Sequence, residues 1–343
     1  FRLNGLYRLN GGQIKMSDIQ KEISQEYEIT VKNIIPFKDF FIIESSEGKK
    51  VLRKLNFSKE RILFIHGAKE HLFRNNFYNI DRFICNKKGL PYLHIDGSNY
   101  VITDVIQGRE CDLDKREDVI KSSIALAQMH ISSRGYIPPE QSLIKDDLGK
   151  LPAQFIKRLE EIKRVKKAAQ KEKGNLDYLI LQYIDYFYDL GEDAINSIKK
   201  SKYDELVEIT RKEKLFCHHD YTHSNIIIGD NKTSIINFSL CSFELKIYDL
   251  ANLLRRKMRK CNWDINEAKV IVDAYRTVEH ISEEEFLVMK IMLQFPQKFW
   301  RVINKYYNSR RCWRDRTFER KFKEVIDEIK YHKKFIEKYD SLY

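Results

Sequence analysis

Hydrophobic residues in the first part of the chain are concentrated in short runs rich in β-branched and aromatic residues. Three such β-rich runs lie at residues 31–35, 40–44 and 50–55, and polar turns separate them. Short β-rich runs bounded by turn residues are typical of paired strands. The sequence therefore predicts a three-stranded antiparallel meander.

A helical stretch follows the meander, with apolar residues at helical spacing from Ile62 to Phe77. Further strands are predicted near residues 83–86, 93–95 and 100–106. Together these elements predict that residues 16–107 form a small, β-rich N-terminal lobe of class α+β.

The hydrophobic period changes to 3.6 residues beyond Gly108, which predicts a larger, mainly helical C-terminal lobe at residues 108–343. Within it, Ser282 and Glu285 form a capping box before a helix expected from Phe286 to Phe299. Residues 215–238 interrupt the helical pattern and predict a strand, a loop and a β-hairpin.

Composition narrows the possible environments. The formal net charge is +12, but basic and acidic residues alternate along the chain, as on solvated helix faces, and no nucleic-acid-binding motif accompanies the charge. No apolar run is long enough for a membrane-spanning helix, and the six scattered cysteines favour a reducing cytoplasm. We therefore expect no nucleic-acid partner and no membrane span.

The first residues, 1–15, show no sustained period before Met16. We expect a non-native or disordered leader there, and a short extension ordered on the surface is the alternative.

The segment with the clearest chemistry is residues 217–228, which read CHHDYTHSNIII. Asp220 precedes Asn225 by five residues and follows His218 by two, which matches the phosphotransferase catalytic loop HxDxxxxN. In such a loop the carboxylate accepts a hydroxyl proton, and the carboxamide binds the metal that bridges the nucleotide phosphates. His218 is expected to support the loop by hydrogen bonding.

Two other interpretations of this segment stay open. The three histidines at 218, 219 and 223 could bind a metal, although their spacing is not that of a known zinc motif. Alternatively, Asp220 and Asn225 could simply satisfy the backbone of a turn.

Several further segments carry a family resemblance. They read HHDY at 218–221, IINF at 235–238, YDLA at 248–251, LRRK at 254–257, NWD at 262–264 and FPQKFW at 295–300. With them the chain, from about Met16 onward, resembles the aminoglycoside phosphotransferase and choline kinase-like superfamily. Within that superfamily it resembles the CotS-type spore coat proteins of endospore-forming bacteria. The resemblance implies a two-lobed protein kinase-like fold.

Roles follow from the resemblance residue by residue. Asp220 corresponds to the catalytic base and Asn225 to the metal-binding amide. Arg53 falls where the third strand carries the basic residue that meets the α- and β-phosphates. Asp249 corresponds to a helix residue that supports the catalytic loop structurally.

Three more residues are expected near a nucleotide. Glu70 is the helix residue best spaced to pair with Arg53, although a solvated Glu is equally compatible with the pattern. Asp104 and Ile106 belong to the segment, residues 100–106, under which an adenine would lie.

The sequence departs from this family pattern at two places. Asn237 and Ser239 occupy the positions where active members carry a magnesium-binding Asp and often a second acid, and Mg²⁺ prefers anionic oxygens. The turn over the nucleotide, residues 35–39, contains no glycine, so close backbone approach to phosphates is not expected.

Two functions are therefore compatible with the sequence. The first is a catalytically degenerate kinase-like protein that needs no cofactor and acts with other spore coat proteins, first in the cytoplasm of the sporulating cell and then in the coat. The second is an active phosphotransferase that uses ATP and Mg²⁺ on a small hydroxyl- or amine-bearing compound or on a coat protein. The departure at Asn237 favours the first.

Overall fold

A computed structural model describes residues 16–37, 40–172, 174–308 and 315–343. The leader predicted at 1–15, part of the glycine-free turn and Cys312 lie outside these residues. The described strands are β1 (Val31–Phe37), β2 (Phe40–Ser45), β3 (Gly48–Leu55), β4 (Leu93–Ile95), β5 (Ser98–Asp104), β6 (Arg109–Glu110), β7 (Phe216–Cys217), β8 (Ile226–Ile228), β9 (Thr233–Ile235) and β10 (Ser242–Phe243).

The described helices cover most of the second half of the chain. They are α1 (Met16–Glu26), α2 (Lys59–Arg74), α3 (Arg116–Ser133), α4 (Leu151–Glu172), α5 (Asn175–Lys200), α6 (Tyr203–Glu213), α7 (Ile247–Met258), α8 (Ile265–Arg276), α9 (Glu283–Gln294), α10 (Gln297–Tyr307) and α11 (Asp315–Lys338). Among the described residues, none of these helices is long and apolar enough to cross a membrane.

The chain divides into two compact units. Of the described residues, unit 1 comprises those within 16–111, 136–145 and 223–241, and unit 2 comprises those within 112–135, 146–222 and 242–343. Unit 1 thus includes the hairpin of β8 and β9. The sequence prediction places this hairpin in the C-terminal lobe, because it lies beyond Gln107 in the chain.

Unit 1 contains a five-stranded antiparallel sheet in the order β1-β2-β3-β5-β4. The predicted meander is confirmed as β1 to β3. The strand predicted at 83–86 is wrong, because only Phe83 forms a β-bridge, to Thr103. The side chain of Asn86 accepts hydrogen bonds from the backbone of Lys88 and Leu90, and this local turn ends the extended conformation.

One face of this sheet is buried against α1. Ile19 and Ile23 of α1 pack in the same core as Ile43, Leu52 and Ile102 of the sheet. The opposite face presents the alternate residues, among them Arg53, because side chains alternate along a strand.

Gly108 lies where the chain leaves the sheet and passes β8. Its φ is +141°, and an added Cβ would lie 2.6 Å from the carbonyl oxygen of Ile228. Only glycine fits both requirements.

Unit 2 is mainly helical. The helix predicted from Phe286 to Phe299 is divided, because α9 ends before Pro296 and α10 begins after it. The predicted capping box of Ser282 and Glu285 is present at the start of α9. Phe155 stacks on Phe295 with ring centroids 4.0 Å apart, which packs α4 against this break.

A buried ion network joins distant segments of unit 2. Glu279 accepts two hydrogen bonds from Arg134, at 2.7 and 3.1 Å, and one from Lys246 at 2.6 Å. Burial alone would raise the pKa of the Glu279 carboxyl, but Arg134 and Lys246 lower it to about 2. The ionised carboxylate is therefore the form that the folded unit stabilises.

Replacing Glu279 with Gln should destabilise the protein by on the order of 1 to 3 kcal/mol at neutral pH, because the buried Lys246 and the partly buried Arg134 both lose the anion that accepts their hydrogen bonds. Since the folded pKa is depressed, the carboxylate stabilises the fold above its unfolded pKa near ~4.3, and that stabilisation is lost as pH falls towards 2. Urea unfolding at several pH values should show the difference from the parent shrinking below about pH 4. A constant difference across that range would contradict the assignment.

Candidate functional site

The loop that follows β7 in unit 2 is supported by Asp249 of α7. Asp249 is fully buried, and its Oδ2 and Oδ1 accept hydrogen bonds from the backbone N–H groups of His218 at 2.6 Å and His219 at 2.9 Å. This is the contact that the sequence predicts for Asp249. It secures a strained backbone, because His219 has a φ of +65°.

Histidine side chains near Asp249 keep its carboxylate ionised. Nε2 of His130 lies 3.4 Å from Oδ2 of Asp249, and the other ring nitrogen of His130 bonds to the hydroxyl of Tyr275 at 2.8 Å. Burial alone would raise the pKa of Asp249, but the hydrogen bond and charge interaction with His130, with help from His219 and His218, hold it below its ordinary value. The loop therefore rests on a buried anion.

Two hydrogen bonds position Asp220, one from its own backbone N–H and one from the side chain of the residue that follows it. Its backbone N–H donates to Nδ1 of His218 at 3.2 Å, and the hydroxyl of the next residue, Tyr221, donates to the carbonyl of Ser122 at 2.7 Å. The ring of His219 stacks on Tyr248 with centroids 4.3 Å apart. His218 thus accepts a hydrogen bond within the loop, and Asp220 lies half-buried at its turn.

The two residues predicted as metal ligands contact one another in unit 1. Nδ2 of Asn237 donates to Oδ1 of Asn225 at 3.3 Å, and Oδ1 of Asn237 accepts from the hydroxyl of Ser239 at 2.9 Å. Asn237 adopts a left-handed conformation with a φ of +65°. Asn225 and Asn237 therefore lie in direct contact, and their roles toward a metal stay predictions.

A buried ion pair lies beside Asn237. Nζ of Lys69 is 2.8 Å from Oδ1 of Asp81 and donates to the carbonyl of Asp81 at 2.7 Å. Oδ2 of Asp81 accepts from the backbone N–H of Asn237 at 3.0 Å. Burial lowers the pKa of Lys69, and Asp81 opposes that lowering. The pair fixes the backbone at Asn237.

Arg53 of β3 also belongs to unit 1. Its guanidinium lies over the ring of Phe40, 5.5 Å from the centroid, and its buried Nε has no acceptor among the described residues. Asp220 belongs to unit 2, so the convergence of Arg53 with Asp220 stays a prediction.

The expected pairing of Glu70 with Arg53 is wrong. Glu70 accepts two hydrogen bonds from Arg82, at 2.8 and 2.6 Å. The reason is helical geometry: Glu70 follows Lys69 by one residue, a rotation of about 100°, and only Lys69 faces the interior. Glu70, Asp104 and Ile106 instead line one cavity of about 530 Å³ in unit 1, which Arg53 does not line.

The chain resembles known proteins in both sequence and fold. Residues 20–339 match the family described as Spore coat putative kinase YutH. The chain belongs to this family. It is also 25% identical, over 304 residues, to Spore coat protein S of Bacillus subtilis strain 168, which covers 88% of this chain and 86% of that protein.

Solved structures show the fold. An aminoglycoside phosphotransferase from Alicyclobacillus acidocaldarius subsp. acidocaldarius DSM 446 superposes with a TM-score of 0.83 at 17% identity, over 97% of both chains. AMP-bound spectinomycin phosphotransferase APH(9)-Ia gives a TM-score of 0.64 at 14% identity, over 92% of this chain and 97% of that one. The predicted kinase-like fold and the predicted spore coat relationship are both confirmed.

Lys69, Asp81 and His130 were not predicted from the sequence. One of them could have been found, because Lys69 continues the apolar stripe of α2 that runs through Ile62, Ile65 and Leu72, where a lysine must bury its charge. Nothing in the local sequence indicates that its partner is Asp81, twelve residues further on.

The histidines of this YutH family member do not form the metal site considered above. Among the described residues, the potential ligand atoms that converge belong to His130, Cys217 and Asp249, all within 4.8 Å of one another and buried. Asp249 already accepts backbone hydrogen bonds, and the thiol of Cys217 donates to the carbonyls of Glu244 and Leu245. Burial raises the pKa of this thiol well above its usual range, which disfavours the thiolate that a metal requires. A hydrogen-bond network accounts for the cluster.

Replacing Asp249 with Asn should destabilise the protein by on the order of 1 to 3 kcal/mol, because one amide oxygen cannot accept both loop N–H groups. The folded pKa of Asp249 is lowered, so its contribution is present at neutral pH and disappears in acid. Thermal melting at pH 7 tests this, with exposed Asp230→Asn as the matched control. Equal melting temperatures for parent and Asp249→Asn would refute the supporting role.

Replacing Lys69 with Met should cost about 3 to 5 kcal/mol, because Asp81 would lose the cation that compensates its partly buried charge. The control is Lys59→Met, which removes an exposed lysine from the first turn of the same helix and should change stability by less than about 0.5 kcal/mol. Denaturant unfolding measures both. Similar effects of the two variants would mean that the Lys69–Asp81 pair does not stabilise unit 1.

Proposed function

We propose that this protein acts in the spore coat by association with other coat proteins, and that it does not transfer phosphate from a magnesium–nucleotide complex. Its family and its likeness to Spore coat protein S support the coat context. On this proposal the chain is made in the cytoplasm of the sporulating cell and is then incorporated into the coat.

The observation that carries the proposal is the chain of hydrogen bonds from Ser239 through Asn237 to Asn225. Mg²⁺ prefers anionic oxygens, and these side chains offer neutral amide oxygens that already accept hydrogen bonds from the protein. Asp81, the nearby carboxylate, is engaged by Lys69 and by the backbone of Asn237. This donor set does not fit Mg²⁺, so a magnesium-dependent step has no support in unit 1.

A second candidate function is an active phosphotransferase, and two observations are compatible with it. The loop that carries Asp220 keeps its complete support from Asp249, His218 and Tyr221. The buried Nε of Arg53 also lacks an acceptor among the described residues, which is compatible with a phosphate ligand. Nucleotide binding without a metal therefore agrees with the proposal, whereas metal-dependent transfer does not.

Calorimetric titration of ATP with and without Mg²⁺ or Mn²⁺ tests the proposal. Either metal should leave ATP binding to the unmodified protein unchanged. In Asn237→Asp, which adds a carboxylate beside Asn225, Mg²⁺ should tighten ATP binding by about tenfold or more. Asn231→Asp adds the same charge at an exposed hairpin position and is the matched control.

Phosphate release from Mg-ATP by the unmodified protein would overturn the proposal if the release were lost in Asp220→Asn. Absence of any nucleotide binding, in every variant and with every metal, would support a role through surface association alone.

A further inference from the structure

Three sequence segments of the family resemblance that lie outside the Asp220 loop line one cavity in unit 2. The cavity measures about 50 Å³, and its lining includes Arg255, Trp263 and residues 295–299. These come from the segments LRRK, NWD and FPQKFW, which the sequence distinguishes beyond the catalytic loop. No described residue of the loop, 217–225, lines this cavity. The cavity is therefore separate from the Asp220 loop.

Two buried N–H donors of the lining have no acceptor among the described residues. They are Nε of Arg259 and Nε1 of Trp263, and Trp263 is only 6% exposed. Leaving a buried donor unsatisfied is costly, so most such groups in folded proteins bond to protein, water or ligand. Both donors require an oxygen acceptor, and both residues line the same cavity.

The charge of the lining favours an anion. Three cationic side chains, Arg255, Arg259 and Lys298, contribute to it, against one carboxylate, Glu328. Glu328 is 2.5 Å from Nζ of Lys298 and 4.0 Å from Nε of Arg259, and Arg255 donates to the carbonyl of Met292 at 2.6 Å. Burial, followed by repulsion from Arg259, lowers the pKa of Arg255 to about 9, so its charge lacks full compensation.

Much of the remaining lining is apolar and limits the ligand, although Tyr186, Gln297 and His332 also contribute to it. Phe187, Leu293, Phe295 and Phe299 form part of the wall. A volume of 50 Å³ is about one third of the ~150 Å³ that holds a benzene molecule, so only a group of a few heavy atoms fits. We propose that this cavity binds a small aliphatic carboxylate, with its oxygens toward Arg259 and Trp263 and its short carbon chain against the phenylalanines.

A phosphate ion fits less well. It carries four oxygens where the lining has two unsatisfied donors, and any oxygen that faces the apolar part of the wall would be costly to bury. A neutral amide of the same shape would lose the attraction of the three cations. The proposal concerns a site outside the Asp220 loop and does not depend on whether the protein transfers phosphate.

Fluorine NMR of fluoroacetate, which has the same number of heavy atoms as propionate, tests the proposal with the full chain. Binding should broaden the fluorine signal, propionate should reverse the broadening, and fluoroacetamide should show none. Arg259→Lys, which keeps the charge but removes the Nε donor, should weaken binding about tenfold. Trp263→Phe should do the same while keeping a ring against His332 and Phe335.

The matched control is Arg256→Lys, an exposed position in the last turn of α7, three residues before Arg259, which does not line the cavity and should leave binding unchanged. Thermal melting checks that each variant is folded, and if Trp263→Phe is not, Arg259→Lys decides. Absence of binding to the unmodified protein, equal binding of the amide, or displacement by inorganic phosphate as effective as that by propionate would each overturn the proposal. Unchanged affinity in a folded Arg259→Lys variant would also overturn it.

Discussion

The buried carboxylate of Asp249 is the constraint on which the loop of unit 2 depends. It accepts the N–H groups of two consecutive residues, His218 and His219, and the second of these has a positive φ. A non-glycine residue in that region is strained, and the strain persists only where surrounding contacts compensate for it. Because His130 also stabilises the anion, α3, α7 and the loop after β7 form one cooperative unit of structure.

In unit 1 a carboxylate also holds the backbone of a residue with positive φ, namely Asn237. Its backbone also has a positive φ, and its N–H is held by a buried carboxylate, here that of Asp81 with Lys69 as the counter-ion. In both units a buried anion fixes a left-handed residue. The consequence differs, since in unit 1 the fixed side chain is a neutral amide whose oxygen is already engaged by Ser239.

Much of this could be predicted from the sequence, and the failures have physical causes. The β-meander followed from short β-rich runs separated by turns, and the supporting role expected for Asp249 followed from the family resemblance. The strand at 83–86 failed because Asn86 satisfies the backbone locally, and the long helix failed because Pro296 divides it. Glu70 was expected to pair with Arg53 because charge complementarity ignores which side of α2 is buried, whereas Glu70 in fact accepts hydrogen bonds from Arg82.

These interactions limit what the catalytic-loop motif can indicate. His218, Tyr221 and Asp249 are all required to hold the loop backbone, so their presence is explained by folding whether or not phosphate is transferred. Folding does not explain the residue at position 237 in this way. Asp and Asn are similar in size, but they differ by a full negative charge, which would change the affinity for a divalent cation. The chemistry at residue 237, more than the motif around residue 220, therefore separates a magnesium-dependent enzyme from a protein that retains only the fold.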